Sequence, residues 1–186
     1  MVVARGDFAP DRLPTVSGLV DESRVTILGR TEPLTPGDGR TLAVHGVQTD
    51  GQDLARLRAS GTTLVSCPRS NAWVGAGSPP VDAFYASRVE VAFGTDSLAS
   101  VSDLNLFAEL AAAHALAPKV PPRWLLESAT AVGAAALGVG DRFGTIEAGK
   151  RAPLLAVRLP EGVDDPEAYL VSGVDPSSLS WVTDRG

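Results

Sequence analysis

The sequence predicts an α/β fold built on parallel strands. Three observations carry that reading. Short apolar runs recur about every 25 residues, close to the length of a compact βα unit. Capped, amphipathic stretches lie between them. The runs also lack polar alternation, as expected of strands in a sheet covered on both faces.

Residues 1–40 are the least patterned part. Pro10, Pro14, Pro33, Pro36, Gly37 and Gly39 interrupt them, and only Val25–Leu28 resembles a short strand. They read as a linker or a remnant. From Thr41 the rhythm is regular. Thr41–Val44 forms a first buried strand. Asp50 caps a helix whose Leu54 and Leu57 share a face, ending near Gly61. Thr62–Ser66, rich in β-branched residues, is a second strand, and Val89–Phe93 a third. Pro79-Pro80 opens a helix with Val81, Phe84 and Tyr85 on one side. Ser102 precedes a longer helix with Leu104, Phe107, Ala108, Ala111 and Ala115 on its face. Pro121-Pro122 opens another with Trp124, Leu125, Ser128 and Val132, stopped by Gly138. Alternating strands and helices require crossover connections and hence parallel strands. After Gly140 the pattern turns to β structure: a strand at Leu154–Leu159, an acidic loop with Glu161, Asp164, Asp165 and Glu167, and a further strand at Leu179–Thr183. The predicted organisation is 1–40, 41–140 and 141–186.

Composition narrows the function classes. The 186 residues are 44% hydrophobic and 20% charged, enough apolar content to bury a core. A net charge of −6 without a basic run argues against nucleic acid as a partner. Ser128–Gly140 is nearly uncharged but too short and too rich in Gly and Ala to span a bilayer, so no membrane role is expected. The first residues lack the apolar stretch of a secretory signal. A single cysteine, Cys67, fits a reducing, cytoplasmic setting.

In parallel α/β structures chemistry gathers at the C-terminal ends of strands. His45-Gly46 follows the first strand, Cys67-Pro68-Arg69-Ser70-Asn71 the second, and Gly94-Thr95-Asp96-Ser97 the third. These groups should converge on one rim. A His and an Asp there suit a hydrolytic metal site; they equally suit a hydrogen-bonded structural His and an Asp that caps a turn. Arg69 and Asn71 read as loop anchors, and Cys67 as a small buried residue rather than a nucleophile. His114, in an Ala-rich helix, reads as structural. Gly144–Lys150 has the spacing of a phosphate-binding loop, but Arg151 stands where Ser or Thr should hold magnesium, and a strand follows where a helix N-terminus is needed.

Five segments in this order resemble the amidohydrolase superfamily: LAVHGVQ (42–48), SGTTLVSCPRSN (60–71), VAFGTDSLAS (91–100), SATAVGAAALG (128–138) and GTIEAGKRAPLLAV (144–157). The branch they resemble is the cytosine-deaminase-like and chlorohydrolase-like one, which includes aminodeoxyfutalosine and S-adenosylhomocysteine deaminases. The resemblance covers roughly Thr41–Leu159. It implies part of a (β/α)8 TIM-type barrel, strands six to eight with their helices, plus a C-terminal segment of a small β-sandwich. A complete barrel needs roughly 250 residues. The implied activity is hydrolytic removal of ammonia, or of chloride in some members, from an N-heterocyclic, purine-like small molecule. The implied cofactor is one divalent metal, zinc with iron as the alternative. By the same resemblance, Asp96 binds the metal and takes a proton from the attacking water, and His45 contacts that water or the substrate and stabilises the tetrahedral centre. Arg69, Asn71 and Ser97 are the candidate substrate-binding residues.

The departures from the pattern are as informative. The His-x-His pair of strand one and the His of strand five, both metal-ligating in the family, have no counterpart, since the chain has only His45 and His114. Pro153 replaces the usual Asp of the closing A-D-L segment. Three of eight strands leave open sheet edges. The expectation is therefore a C-terminal portion, inactive alone, that needs a missing N-terminal half or a homo-oligomer. The alternatives are a non-catalytic remnant or partner-binding half-barrel, and a small enzyme rebuilt around Asp96, His45, Arg69 and Cys67.

Overall fold

The computed structural model describes residues 41–182. The strand-like Val25–Leu28, the rest of 1–40 and the end of the last expected strand at Thr183 lie outside the described residues.

Three strands, β1 (Leu42–Val44), β2 (Thr63–Ser66) and β3 (Val91–Phe93), form a parallel sheet in the order β1-β2-β3. Val44 stands beside Val65, and Val65 beside Ala92. Between β1 and β2 runs α1 (Gly51–Ala59). Its first turn is held by a capping box: Asp50 accepts from the Gln52 and Asp53 N–H groups, and Asp53 accepts from the Asp50 N–H. Between β2 and β3 lie α2 (Pro68–Trp73) and α3 (Val81–Ser87). After β3 come α4 (Leu106–Leu116) and a continuous helical rod, α5 (Pro122–Glu127), a π turn (Ser128–Val132) and α6 (Gly133–Ala136).

Period-two geometry sorts the sheet residues into two faces. Ala43, Leu64, Val91 and Phe93 pack into one cluster with Leu54 and Leu57 of α1, Phe84 of α3 and Leu110 and Ala113 of α4. On the opposite face Leu42, Val44 and Val65 are only half-buried. The expected covering of both faces is thus complete on one side and partial on the other.

The helical faces also differ from expectation. Leu104 is 60% exposed and precedes α4, which is capped by Asn105, whose side chain accepts from the Phe107 N–H. The buried stripe of α4 is Glu109, Leu110 and Ala113 rather than the expected one. All but Glu109 and His114 of its residues are small or apolar, which gives this helix almost no amphipathic bias, so its orientation is set by what packs on it. In α5, Leu125 is buried, while Trp124 stays half-exposed and stacks on Tyr85 with ring centroids 6.2 Å apart. The Tyr85 hydroxyl pairs with the Ser128 hydroxyl at 2.7 Å.

The tail holds a two-stranded antiparallel ribbon, β4 (Leu155–Val157) with β5 (Leu179–Trp181). Between them the expected acidic loop contains a short helix, α7 (Pro166–Leu170), capped by Asp165. Val171, just after α7, is fully buried in the main core, which joins this stretch to the parallel-sheet unit. In Gly144–Lys150 the lysine binds the Thr145 hydroxyl at 2.7 Å, and no helix follows before β4. No helix among the described residues is long and apolar enough to cross a membrane.

Candidate functional site

The chain reverses direction sharply where β1 and β3 end. His45 and Asp96 both adopt left-handed backbone, with φ of 76° and 64°. Non-glycine residues there are uncommon and concentrate at functional sites. His45 is fixed from behind, because its N–H donates to the Val65 carbonyl at 2.8 Å. Gly46 continues the bend with φ of 63°, and a Cβ there would stand 2.8 Å from Leu64 Cδ1. Glycine is the residue that meets both demands.

The side chains converge as the strand-end argument requires. An open cleft of about 360 Å³ is lined by His45, Ser70, Asn71 and Asp96, with Gly46–Thr49, Val74 and Ala76 as its wall. His45 Nε2 lies 3.8 Å from Asp96 Oδ2. His45 Nδ1 lies 2.8 Å from Asn71 Oδ1. Ser70 donates to Asp96 Oδ2 at 2.6 Å, and Ser100, 2.9 Å from Ser70, donates to the same oxygen at 3.2 Å. All of these bonds fall on Oδ2, so Asp96 Oδ1 keeps both lone pairs. The arrangement presents a carboxylate oxygen and an imidazole nitrogen to one small volume, ready to orient a water or share a cation.

Helix α2 supplies two of these residues, and its placement depends on the far side of the helix. The Arg69 N–H donates to Glu109 Oε2 at 3.1 Å, and the Arg69 guanidinium reaches Asp103 at 2.8 Å and Glu109 at 3.7 Å. Arg69 therefore ties α2 to the start of α4, and its guanidinium is committed away from the cleft. Ser97 is exposed, its hydroxyl accepts from the Ala99 N–H, and it does not line the cleft. Of the three expected substrate contacts, only Asn71 lies at the cleft, and its oxygen is already engaged by His45. The two it displaces have a common cause: one-residue steps along a helix or turn redirect a side chain by a large angle, which motif order alone does not resolve.

Cys67 is buried, and that burial, with Asp96 and Glu109 nearby, pushes its thiol up to about 12. It is a packing residue, and neither Cys67 nor Arg69 lines the cleft. Ser70, Ser100 and Glu109 are the partners sequence reasoning missed. Ser70 stood inside the quoted motif, whereas Glu109 gave no signal beyond being a lone carboxylate in an apolar helix. Burial raises the Glu109 carboxyl above its ordinary value, against the opposing effect of Arg69. On α4, His114 holds a buried Nδ1 without a partner and takes no part in the cleft.

A zinc site takes three or more protein ligands. Among the described residues no group of three His, Cys, Asp or Glu is placed to hold a metal. Asp96 and His45 fit as members of a donor set, and they do not complete one.

Comparison with known proteins gives the family. The amidohydrolase family model matches residues 20–178, beginning inside the stretch read as a linker. The chain is 37% identical to the 5-methylthioadenosine/S-adenosylhomocysteine deaminase of Teredinibacter turnerae, over 80% of this chain and 35% of that protein. It is 33% identical to the S-triazine hydrolase of Gordonia rubripertincta, over 74% of this chain and 30% of that one. Among solved structures, an adenosine deaminase from Xanthomonas campestris with bound zinc superposes with a TM-score of 0.71 at 33% identity, over 76% of this chain and 35% of that chain. The zinc complex of atrazine chlorohydrolase from Arthrobacter aurescens gives 0.67 at 25% identity, over 76% and 34%. The chain thus spans about a third of the length of the relatives it matches. With a family match across most of its residues and a shared arrangement of strands and helices, the chain belongs to the amidohydrolase family.

Proposed function

We propose that this chain forms the His45–Asp96 side of a metal-dependent amidohydrolase site that deaminates an N-heterocyclic, purine-like substrate. One observation carries the reading: the ends of β1 and β3 bring an imidazole nitrogen and a carboxylate oxygen to 3.8 Å across a solvent-open cleft. Such a pair can orient a water and accept its proton. In this reading β1, β2 and β3 are barrel strands six, seven and eight, the half-buried face bearing Val44 and Val65 looks into the barrel, and β4–β5 belongs to the small sandwich. Asp96 is one ligand of a divalent metal, zinc or iron. The other ligands come from outside the described residues, either from an N-terminal half or from another copy, and the chain alone does not turn over. The names of the relatives, deaminases of adenosine-type molecules, supply the substrate class. A cytoplasmic location belongs to the same proposal.

The test is ammonia release from 5'-methylthioadenosine and S-adenosylhomocysteine in the presence of zinc. The purified chain is assayed alone, and then co-expressed with the N-terminal two-thirds of the Teredinibacter turnerae relative. Turnover only in the second arm, falling roughly 1000-fold in Asp96→Asn as expected for loss of a proton-transfer group, supports the reading. A stable complex without turnover favours the partner-binding half-barrel instead.

A further inference from the structure

Asn71, like its neighbour Ser70, is a cleft residue whose polar side chain is almost wholly buried, at 1% exposure. Its oxygen faces His45 Nδ1 at 2.8 Å, while its Nδ2 is buried without a partner. A carboxamide oxygen only accepts, so this contact requires a proton on Nδ1. A neutral imidazole carries one proton, and Nε2 is then left with its lone pair. That lone pair lies 3.8 Å from Asp96 Oδ2, which is also an acceptor. Without Asn71 the carboxylate would favour the other tautomer, with the proton on Nε2 pointing at Asp96.

We propose that Asn71 is a positioning residue: it holds neutral His45 as the Nδ1–H tautomer, so that Nε2 and Asp96 confront the cleft as two acceptors. The role follows from the chemistry of the gap. Two acceptor groups facing one cleft call for a donor or a cation, and a water can donate one O–H to Nε2 and the other to the Asp96 carboxylate, whose Oδ1 has its lone pairs unused. His45 in this state receives a hydrogen bond at Nε2. The inference deepens the proposed function and rests on it for its catalytic meaning. Its test reads the tautomer directly, so it can fail while the deamination reading stands.

The chain has two histidines, so long-range proton–nitrogen correlation spectra of the 15N-labelled full chain assign both rings. The spectra are recorded across a pH series, and the tautomer is read at the alkaline end, where the ring signals no longer move. The expected result is a protonated Nδ1 and an unprotonated Nε2 on His45. Asn71→Leu is expected to reverse the pattern, Asn71→Asp, which keeps an acceptor, to preserve it, and Asp96→Asn to leave it unchanged. A protonated Nε2 in the parent chain, or an unchanged pattern in Asn71→Leu, overturns the proposal. Should Asn71→Leu fail to fold, the parent and Asn71→Asp decide: a protonated Nε2 in either overturns the proposal. The His114 ring is the internal reference in every spectrum.

Discussion

The two faces of the three-stranded sheet are made of the same kinds of residue and end in different surroundings. Leu64 and Val91 point into the helical layer and are 0% and 2% exposed. Val44 and Val65, one position along, look the other way and are half-buried. The first face is closed by α1, α3 and α4 from within the chain. The second has the apolar character of an interior without an equal layer to meet it. Its rim is where His45, Asn71, Ser70 and Asp96 gather. The difference separates two tasks across one sheet: the closed side holds the strands in register, and the rim of the open side gathers polar groups.

The largest effect expected from this contrast is Leu64→Ala, which should cost about 3 kcal/mol through lost contacts and a cavity. Val65→Ala, on the open face, should cost about 1 kcal/mol or less in the isolated chain, because its surroundings are already partly solvent. Urea midpoints of the two variants decide the matter, and equal losses would mean the faces are equally closed. Gly46→Ala is expected to cost about 2 kcal/mol, combining the left-handed backbone with the collision against Leu64. It should also alter the His45 ring environment, since the bend positions both.

Glu109→Gln sharpens the account of how α2 is held. Because the folded carboxyl titrates above its unfolded value, its contribution to stability is fully present at low pH and is lost as pH rises through the folded value. Glu109→Gln should therefore match or exceed the parent in urea midpoint at neutral pH, with the gap closing as pH drops below about 4.3, the ordinary glutamate value. A large loss at neutral pH would show that the charge itself pins Arg69. The smallest effect concerns Cys67. With its thiol pushed up to about 12 and its side chain buried, it should resist alkylation at pH 8 until the chain unfolds.

Much of the closed side was legible in the sequence. The Asp50 cap, the Leu54–Leu57 pair and the β-branched run before Ser66 each act locally, and each appears at its expected place. The strand-end rule likewise brought His45, Asn71 and Asp96 to one cleft. Local rules ran out where orientation depends on distant partners. The alanine-rich α4 turns Glu109 inward because the Arg69 N–H and guanidinium lie there, 40 residues back in sequence. Arg69 and Ser97 sit beside site residues in the chain, yet backbone geometry carries their side chains elsewhere. Short α2 and α7 were missed because a single turn or two leaves no periodicity to read.

Metal content tests the central claim most directly. The chain, alone and in complex with the complementary N-terminal piece, is equilibrated with zinc, passed through a desalting column and analysed for bound metal. The account predicts no retained zinc in the chain alone, one zinc per complex, and its loss in Asp96→Asn. Stoichiometric zinc in the chain alone, or undiminished zinc and turnover in the Asp96→Asn complex, would contradict it.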